Sequence, residues 1–145
     1  MSEPKAARPI LLVEDNPMDV ELTIRAFRRR HLLNPVDVAR DGEEALERLT
    51  HWEQGAPIPL VILLDLKLPR IDGLEVLRQL KAHPRFRTIP VVMLTTSAED
   101  RDIDGAYELG VNSYIVKPVS FDKFIEVAEN VEIYWCATNT PPRPL

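Results

Sequence analysis

The chain has 145 residues, 45% of them hydrophobic and 28% charged, enough for one domain with its own core. Its 18 basic and 23 acidic residues leave a formal net charge of −5, which excludes the basic excess of a general nucleic-acid or anionic-membrane binder. The single cysteine, Cys136, excludes an internal disulfide; no apolar run approaches the roughly 20 residues that span a bilayer, and Met1 to Arg8 lacks the apolar centre of a signal peptide, so a reducing cytoplasm is the expected location.

Pro9 to Val13 fits a strand buried on both faces and ends at Glu14-Asp15. Asn16 suits a helix N-cap with Pro17 at the first helical position, and Val20, Ile24 and Phe27 line one face. Arg28, Arg29 and Arg30 read as cations at that helix's C-terminus rather than as a nucleic-acid patch. Pro35 to Ala39 predicts a second strand. Asp41 and Glu44 resemble a capping box ahead of a helical face of Ala45, Leu46, Leu49 and Trp52. The loop Gln54 to Pro59 leads to Leu60–Leu64, an apolar run that meets Asp65. Asp72-Gly73 opens a third helix with Leu74, Leu77 and Leu80 on one side. Thr88 to Thr96 predicts a fourth strand, and Ser97 is expected to cap a fourth helix, with Asp100 at the capping-box position and Gly110 at its stop. Ser113 to Val116 predicts a fifth strand ending at Lys117-Pro118. Ser120 caps a last helix with Phe121, Phe124, Ile125, Ala128, Val131 and Trp135 at helical spacing. Ala137 to Leu145 carries three prolines and is expected to be extended or disordered.

This alternation predicts a flavodoxin-like (βα)5 doubly wound parallel sheet with right-handed crossovers and strand order 2-1-3-4-5. The expected boundaries are an N-terminal arm over 1–7, one domain over 8–135 and a C-terminal extension over 136–145. All strand ends then share the edge where ligands of open α/β sheets bind, so Glu14, Asp15, Asp65, Thr95, Thr96 and Lys117 converge. Asp65 alone reads more simply as the start of a turn; its company changes that reading. Three clustered carboxylates repel one another, and a hard divalent cation such as Mg2+ relieves them. Asp65 can then act as a nucleophile forming an aspartyl phosphate, with Thr95 and Lys117 offsetting charge on the transferring group. No GxxxxGK loop is present, so a nucleotide held in one is not the expected donor.

These motifs resemble the receiver domain of two-component response regulators. The likeness covers about residues 8 to 135 and rests on Leu11 to Asn16, Leu63 to Pro69, Asp72-Gly73, Leu94 to Thr96 and Tyr114 to Pro118. Each piece is weak alone; in this order they are specific. The resemblance implies that Asp65 accepts a phosphoryl group from a phosphohistidine on a sensor histidine kinase. It implies Mg2+ held by Glu14, Asp15, Asp65 and the Lys67 backbone carbonyl, and phosphoryl contacts from Thr95, Thr96 and Lys117. Thr95 and Tyr114 would form a switch, and the Lys117–Pro118 bond would be cis.

A narrower likeness, to the single-domain regulators paired with bacteriophytochrome kinases, rests on Glu14 to Pro17 with Asp19, the long loop before Ile58, Leu94 to Ser97, and Ile133 to Trp135. It implies a homodimer through the fourth helix, fifth strand, fifth helix and C-terminal extension, including Tyr107, Val111, Tyr134 and Trp135. Trp135 serves equally well as a core residue of its own helix. The residues after Pro118 leave room for one helix and a tail, so no DNA-binding output domain is expected. Output is expected through protein contact or onward phosphotransfer, without nucleic acid or membrane.

Two other classes compete. A hydrolase of the haloacid-dehalogenase type also uses an aspartyl phosphate, but it needs an acid two residues after the nucleophile, where Lys67 stands. The other class is a receiver-like scaffold acting without phosphorylation; the complete acidic trio, Thr95 and Lys117 argue against it, and it stays the alternative that only chemistry excludes. A phosphoacceptor signalling domain, rather than an enzyme, is therefore expected. His31, His51 and His83 lack metal-like spacing and read as surface residues, and Glu99 to Asp102 as the solvated first turn of a helix.

Overall fold

The computed structural model describes residues 8–29 and 33–143; the expected N-terminal arm, Arg30 and His31 lie outside the described residues. The strands β1 (Ile10–Val13), β2 (Val36–Ala39), β3 (Val61–Leu64), β4 (Val91–Thr95) and β5 (Ser113–Val116) alternate with the helices α1 (Pro17–Arg28), α2 (Gly42–Glu53), α3 (Gly73–Ala82), α4 (Asp100–Glu108) and α5 (Phe121–Glu132). All pairings are parallel and the order is β2-β1-β3-β4-β5, the expected flavodoxin-like arrangement.

β1, β3 and β4 are buried at every position because helices cover both faces of the sheet. Successive side chains point to opposite faces and so feed two cores. Leu11, Val13, Ile62, Leu64 and Met93 pack with Trp52, Leu77 and Ala106 of α2, α3 and α4. Ile10, Leu12, Val61, Leu63 and Val92 pack with Val20, Phe27, Ala128 and Val131 of α1 and α5. Each fully buried aliphatic side chain contributes roughly 1.5–3 kcal/mol, so this two-sided core fixes the sheet whose edge carries the polar residues.

Local chemistry sets the helix starts. Asn16 Oδ1 accepts from the Met18 and Asp19 N–H groups, Asp72 from Glu75, and Ser120 from Lys123. Asp41 accepts from Glu44 N–H, and the Glu44 carboxylate reaches back 3.1 Å to the N–H of Arg40, one residue before the cap. Gly110, at φ 98°, closes α4 as its position predicted.

The structure departs from the sequence reading at several points. β4 starts at Val91, not Thr88: Pro90 has no N–H to offer a ladder, and Phe86–Thr88 form a 3₁₀ turn. Buried Phe86 meets Trp52 edge-on there, ring centres 5.3 Å apart. α4 starts at Asp100 behind Glu99, which makes no side-chain cap bond; Ser97 stays outside the helix, its Oγ accepting the Glu99 N–H at 3.3 Å and donating to Asp102 Oδ2 at 2.6 Å. Asp102 is buried, which corrects the reading of Glu99 to Asp102 as a fully solvated turn. α5 continues into a π-helical segment, Ile133–Thr138, that carries Cys136 into the core, so Ala137 and Thr138 are not extended. Val111 is buried against the α3 and α4 side of the core and so does not belong to the surface implied for a dimer. Finally, no cis peptide bond occurs among the described residues. The Lys117–Pro118 bond is trans, the isomer that X–Pro bonds favour by roughly 0.5–1 kcal/mol.

Candidate functional site

Register brings the site together. Val13 lies opposite Leu64, so Glu14 and Asp65 leave the sheet side by side. The Asp65 N–H donates to the Val13 carbonyl at 3.0 Å, and the Lys117 N–H donates to the Thr95 carbonyl at 2.6 Å. Gly73 lets α3 approach the loop after β3: a Cβ there would stand 2.2 Å from the Asp65 carbonyl oxygen. Its N–H instead donates to the Leu66 carbonyl at 2.9 Å, fixing the turn that follows Asp65.

Oxygens of Glu14, Asp15 and Asp65 lie within 4.8 Å of one another. Glu14 and Asp65 are buried, and Asp15 is exposed. Against them stands the buried Lys117 ammonium, which donates to Glu14 Oε1 at 2.6 Å, Asp19 Oδ2 at 2.8 Å and Asp65 Oδ2 at 3.0 Å. The second oxygens of Glu14 and Asp65 are partnered too: Asn16 N–H donates to Glu14 Oε2 at 3.2 Å, and Lys67 N–H to Asp65 Oδ1 at 3.4 Å. Burial, aided by the neighbouring Asp65 charge, pushes Glu14 up to about 7 against the pull of Lys117. For Lys117, burial works against the charge, but bonds to Asp19 and Glu14 and the charge of Asp65 outweigh it and hold the ammonium above its usual range. The donor set is all oxygen, acidic and crowded, and it fits a hard divalent cation.

Thr95 is fully buried beside this cluster, and its Oγ1 accepts the Ser97 N–H at 3.3 Å; Thr96, the next residue, is exposed. Tyr114 is half-buried, and its hydroxyl donates to the Ser97 carbonyl at 2.9 Å. Burial raises the phenol above its ordinary range, and the carboxylates around the edge add to that. Ser97 therefore joins Thr95 through its N–H, Tyr114 through its carbonyl and Asp102 through its hydroxyl. Lys67 Nζ lies 4.0 Å from Asp102 Oδ2 on the same side. Among the residues expected at a dimer surface, Tyr107 and Tyr134 are exposed, and Trp135 is half-buried against the core, edge-on to Tyr134 at 5.0 Å.

Sequence reasoning placed Glu14, Asp15, Asp65, Thr95 and Lys117 at one edge, and they lie there. It noted Asp19 only as part of a motif and did not place it at the lysine. The available signal was its position in the first turn of α1, directly after the Glu14-Asp15 loop. It also missed the Ser97–Asp102 bond, which nothing in that run of charged residues announces.

Known proteins resemble this chain in sequence and fold. A family model described as response regulator receiver domain matches residues 10–129. The response regulator Rcp1 of Synechocystis sp. is 37% identical over 142 residues, 97% of each chain. A structure of its Mn(2+)-bound form overlays with a TM-score of 0.88 at 36% identity, covering 94% of this chain and 99% of that one. The probable methanogenesis regulatory protein FilR2 of Methanothrix harundinacea is 46% identical over 136 residues, 93% of this chain and 88% of that protein. The structure of the bacteriophytochrome response regulator AtBRR overlays with a TM-score of 0.70 at 49% identity, covering 92% of this chain and 99% of that one. With relatives matched nearly end to end and the acidic edge in place, the chain belongs to the response-regulator receiver domain family.

Proposed function

We propose that Asp65 is the phosphoacceptor of this receiver domain and takes its phosphoryl group from a phosphohistidine on a sensor histidine kinase. One observation carries the reading: the Asp65 carboxylate, at the exit of β3, lies 3.0 Å from Lys117 Nζ inside the Glu14–Asp15–Asp65 cluster. In the transfer an Asp65 oxygen bonds to phosphorus and the phosphorus–nitrogen bond of phosphohistidine breaks. The imidazole nitrogen keeps the electron pair and takes up a proton. Negative charge is spread over the phosphoryl oxygens, and the Lys117 ammonium with the Thr95 and Thr96 hydroxyls are the donors this chain offers them. Glu14, Asp15, Asp65 and the Lys67 carbonyl would hold Mg2+, which when bound supplies further offset of that charge. The crowded carboxylates and the Mn(2+)-bound form of Rcp1 support a divalent site.

The finer reading of the kinase is a bacteriophytochrome, supported by the likeness to AtBRR. The signal leaves through Thr95 and Tyr114, which meet at Ser97, toward a protein partner or an onward phosphotransfer protein. The exposed Tyr107 and Tyr134 support a homodimer through α4, β5, α5 and the extension. A domain without a disulfide, acting on phosphohistidine, suits the cytoplasm.

The test is intact-mass spectrometry after treatment with acetyl phosphate, with Mg2+, with chelator, and for Asp65→Ala, and then with a phosphorylated bacteriophytochrome kinase as donor. The expected result is one phosphoryl adduct that needs Mg2+ and is absent from the Asp65→Ala chain. No adduct from either donor, in protein shown to be folded and to bind Mg2+, would replace the phosphoacceptor reading with a phosphorylation-independent scaffold.

A further inference from the structure

Lys117 has three N–H donors and three carboxylate partners, so its ammonium is saturated. Two of those partners, Glu14 and Asp65, belong to the acidic cluster; Asp19 does not. It stands apart in fold as well as in role. Asp19 sits in the first turn of α1, with its N–H 3.3 Å from the Asn16 cap oxygen and its carbonyl accepting the Thr23 hydroxyl at 2.7 Å. Pro17 at the first helical position stiffens the same turn. The carboxylate therefore reaches Lys117 from a fixed backbone, across 98 residues of sequence, with only 20% of its side chain exposed.

A cation held by the cluster would draw on the charge of Glu14 and Asp65, leaving Asp19 as the one partner of Lys117 with no claim from the metal. We propose that Asp19 is a positioning residue: it holds the Lys117 ammonium beside Asp65 as a fixed counter-charge outside the acidic cluster. This rests on the reading of Asp65 as phosphoacceptor and names the residue that keeps its partner lysine in place. The ordinary account of Asp19 is an acid favoured at a helix N-terminus by the backbone dipole. That account predicts a loss of stability on replacement and no effect on Lys117.

The experiment separates the two with lysine-labelled NMR of the metal-free protein, following the Lys117 side-chain ε-methylene and ammonium signals. Asp19→Asn should shift the ε-methylene signal and speed exchange of the ammonium protons. Asp19→Glu should restore part of both. Glu21→Gln removes a charge from the same helix without touching Lys117 and should leave its signals in place. With acetyl phosphate and Mg2+, Asp19→Asn should lower the saturated phosphorylation rate about tenfold, less than deletion of the donor itself. If Asp19→Asn unfolds the domain, Asp19→Ser keeps a polar residue in that turn and takes its place. Unmoved Lys117 signals overturn the proposal, as does a normal phosphorylation rate in a chain whose signals have moved. Failure of the phosphoacceptor reading looks different: the adduct would persist in Asp65→Ala, or be missing from the unsubstituted chain, whatever stands at position 19.

Discussion

Glu14 is the residue where burial, a proton and the proposed cation site meet. Its carboxyl is pushed from an ordinary 4.5 up to about 7, because burial outweighs the help of Lys117 and the Asp65 charge adds to it. Between those two values the folded chain binds more protons than the unfolded one, so the metal-free protein loses stability as pH rises through that window. The same proton must leave before Glu14 can bind a cation, so Mg2+ affinity should fall as pH drops below about 7. Urea midpoints and Mg2+ titrations at about pH 5 and about pH 8 check both trends, and Glu14→Gln should flatten them. A Glu14→Gln protein with the same slopes as the parent would assign the pH dependence elsewhere. At this scale Asp65, Glu14 and Lys117 were legible in the sequence because a charge ending an apolar strand has few places to go. Asp19 and Asp102 were not. Both lie on first turns of helices, where acids are common for local reasons, and their partners Lys117 and Ser97 are fixed only by the folded chain.

The elements that were read well are those whose burial is complete. β1, β3 and β4 are continuous apolar runs because both their faces are covered, and that pattern survives without any knowledge of neighbours. Boundaries were read less well where a side chain had a choice of partner. Ser97 bonds both the Glu99 N–H and the buried Asp102 carboxylate from outside the helix, and α4 starts only at Asp100. The end of α5 runs on because Cys136 has a place in the core, which the prolines after it concealed. The α3 start illustrates how an element sets the chemistry. Gly73 is where α3 meets the backbone of Asp65, and the 2.2 Å approach of an added Cβ to the Asp65 carbonyl cannot be relieved by a side-chain rotation. Gly73→Ala improves helix propensity, yet it should destabilise the domain by about 1–3 kcal/mol, because overpacking against backbone outweighs that gain. It should also slow phosphorylation of Asp65 by displacing the loop. Denaturant unfolding and the acetyl phosphate assay test this, and a stabilised, fully active Gly73→Ala chain would show that the α3–loop contact is not what positions Asp65.

At the scale of the molecule, the sheet order separates two jobs. One edge gathers the polar site, and the flank formed by β5 and α5 is left with apolar side chains in water. Val119 and Phe121 follow Lys117 closely and are 102% and 63% exposed, so the segment beside the site is apolar. Further along, an open cleft of about 540 Å³ runs between β5 and the end of α5, with Ile115, Val127, Tyr134 and Trp135 among its walls. Exposed aromatic residues next to an apolar cleft are the composition expected at the centre of a protein interface. With the proposed homodimer at the cleft end, Val119 and Phe121 stay exposed, and the proposed docking of the kinase on them can be tested separately. Sedimentation should therefore give about twice the 16.5 kDa chain mass, and Tyr134→Arg should return it to that of one chain. Such a charge at the core of the patch is desolvated without a partner. Val119→Ser and Phe121→Ser should leave the mass unchanged and slow transfer from the kinase while sparing transfer from acetyl phosphate. If Tyr134→Arg leaves the mass where it was and Val119→Ser lowers it, the two surfaces have been assigned the wrong way round, and the segment that carries Lys117 would then be what the second copy covers.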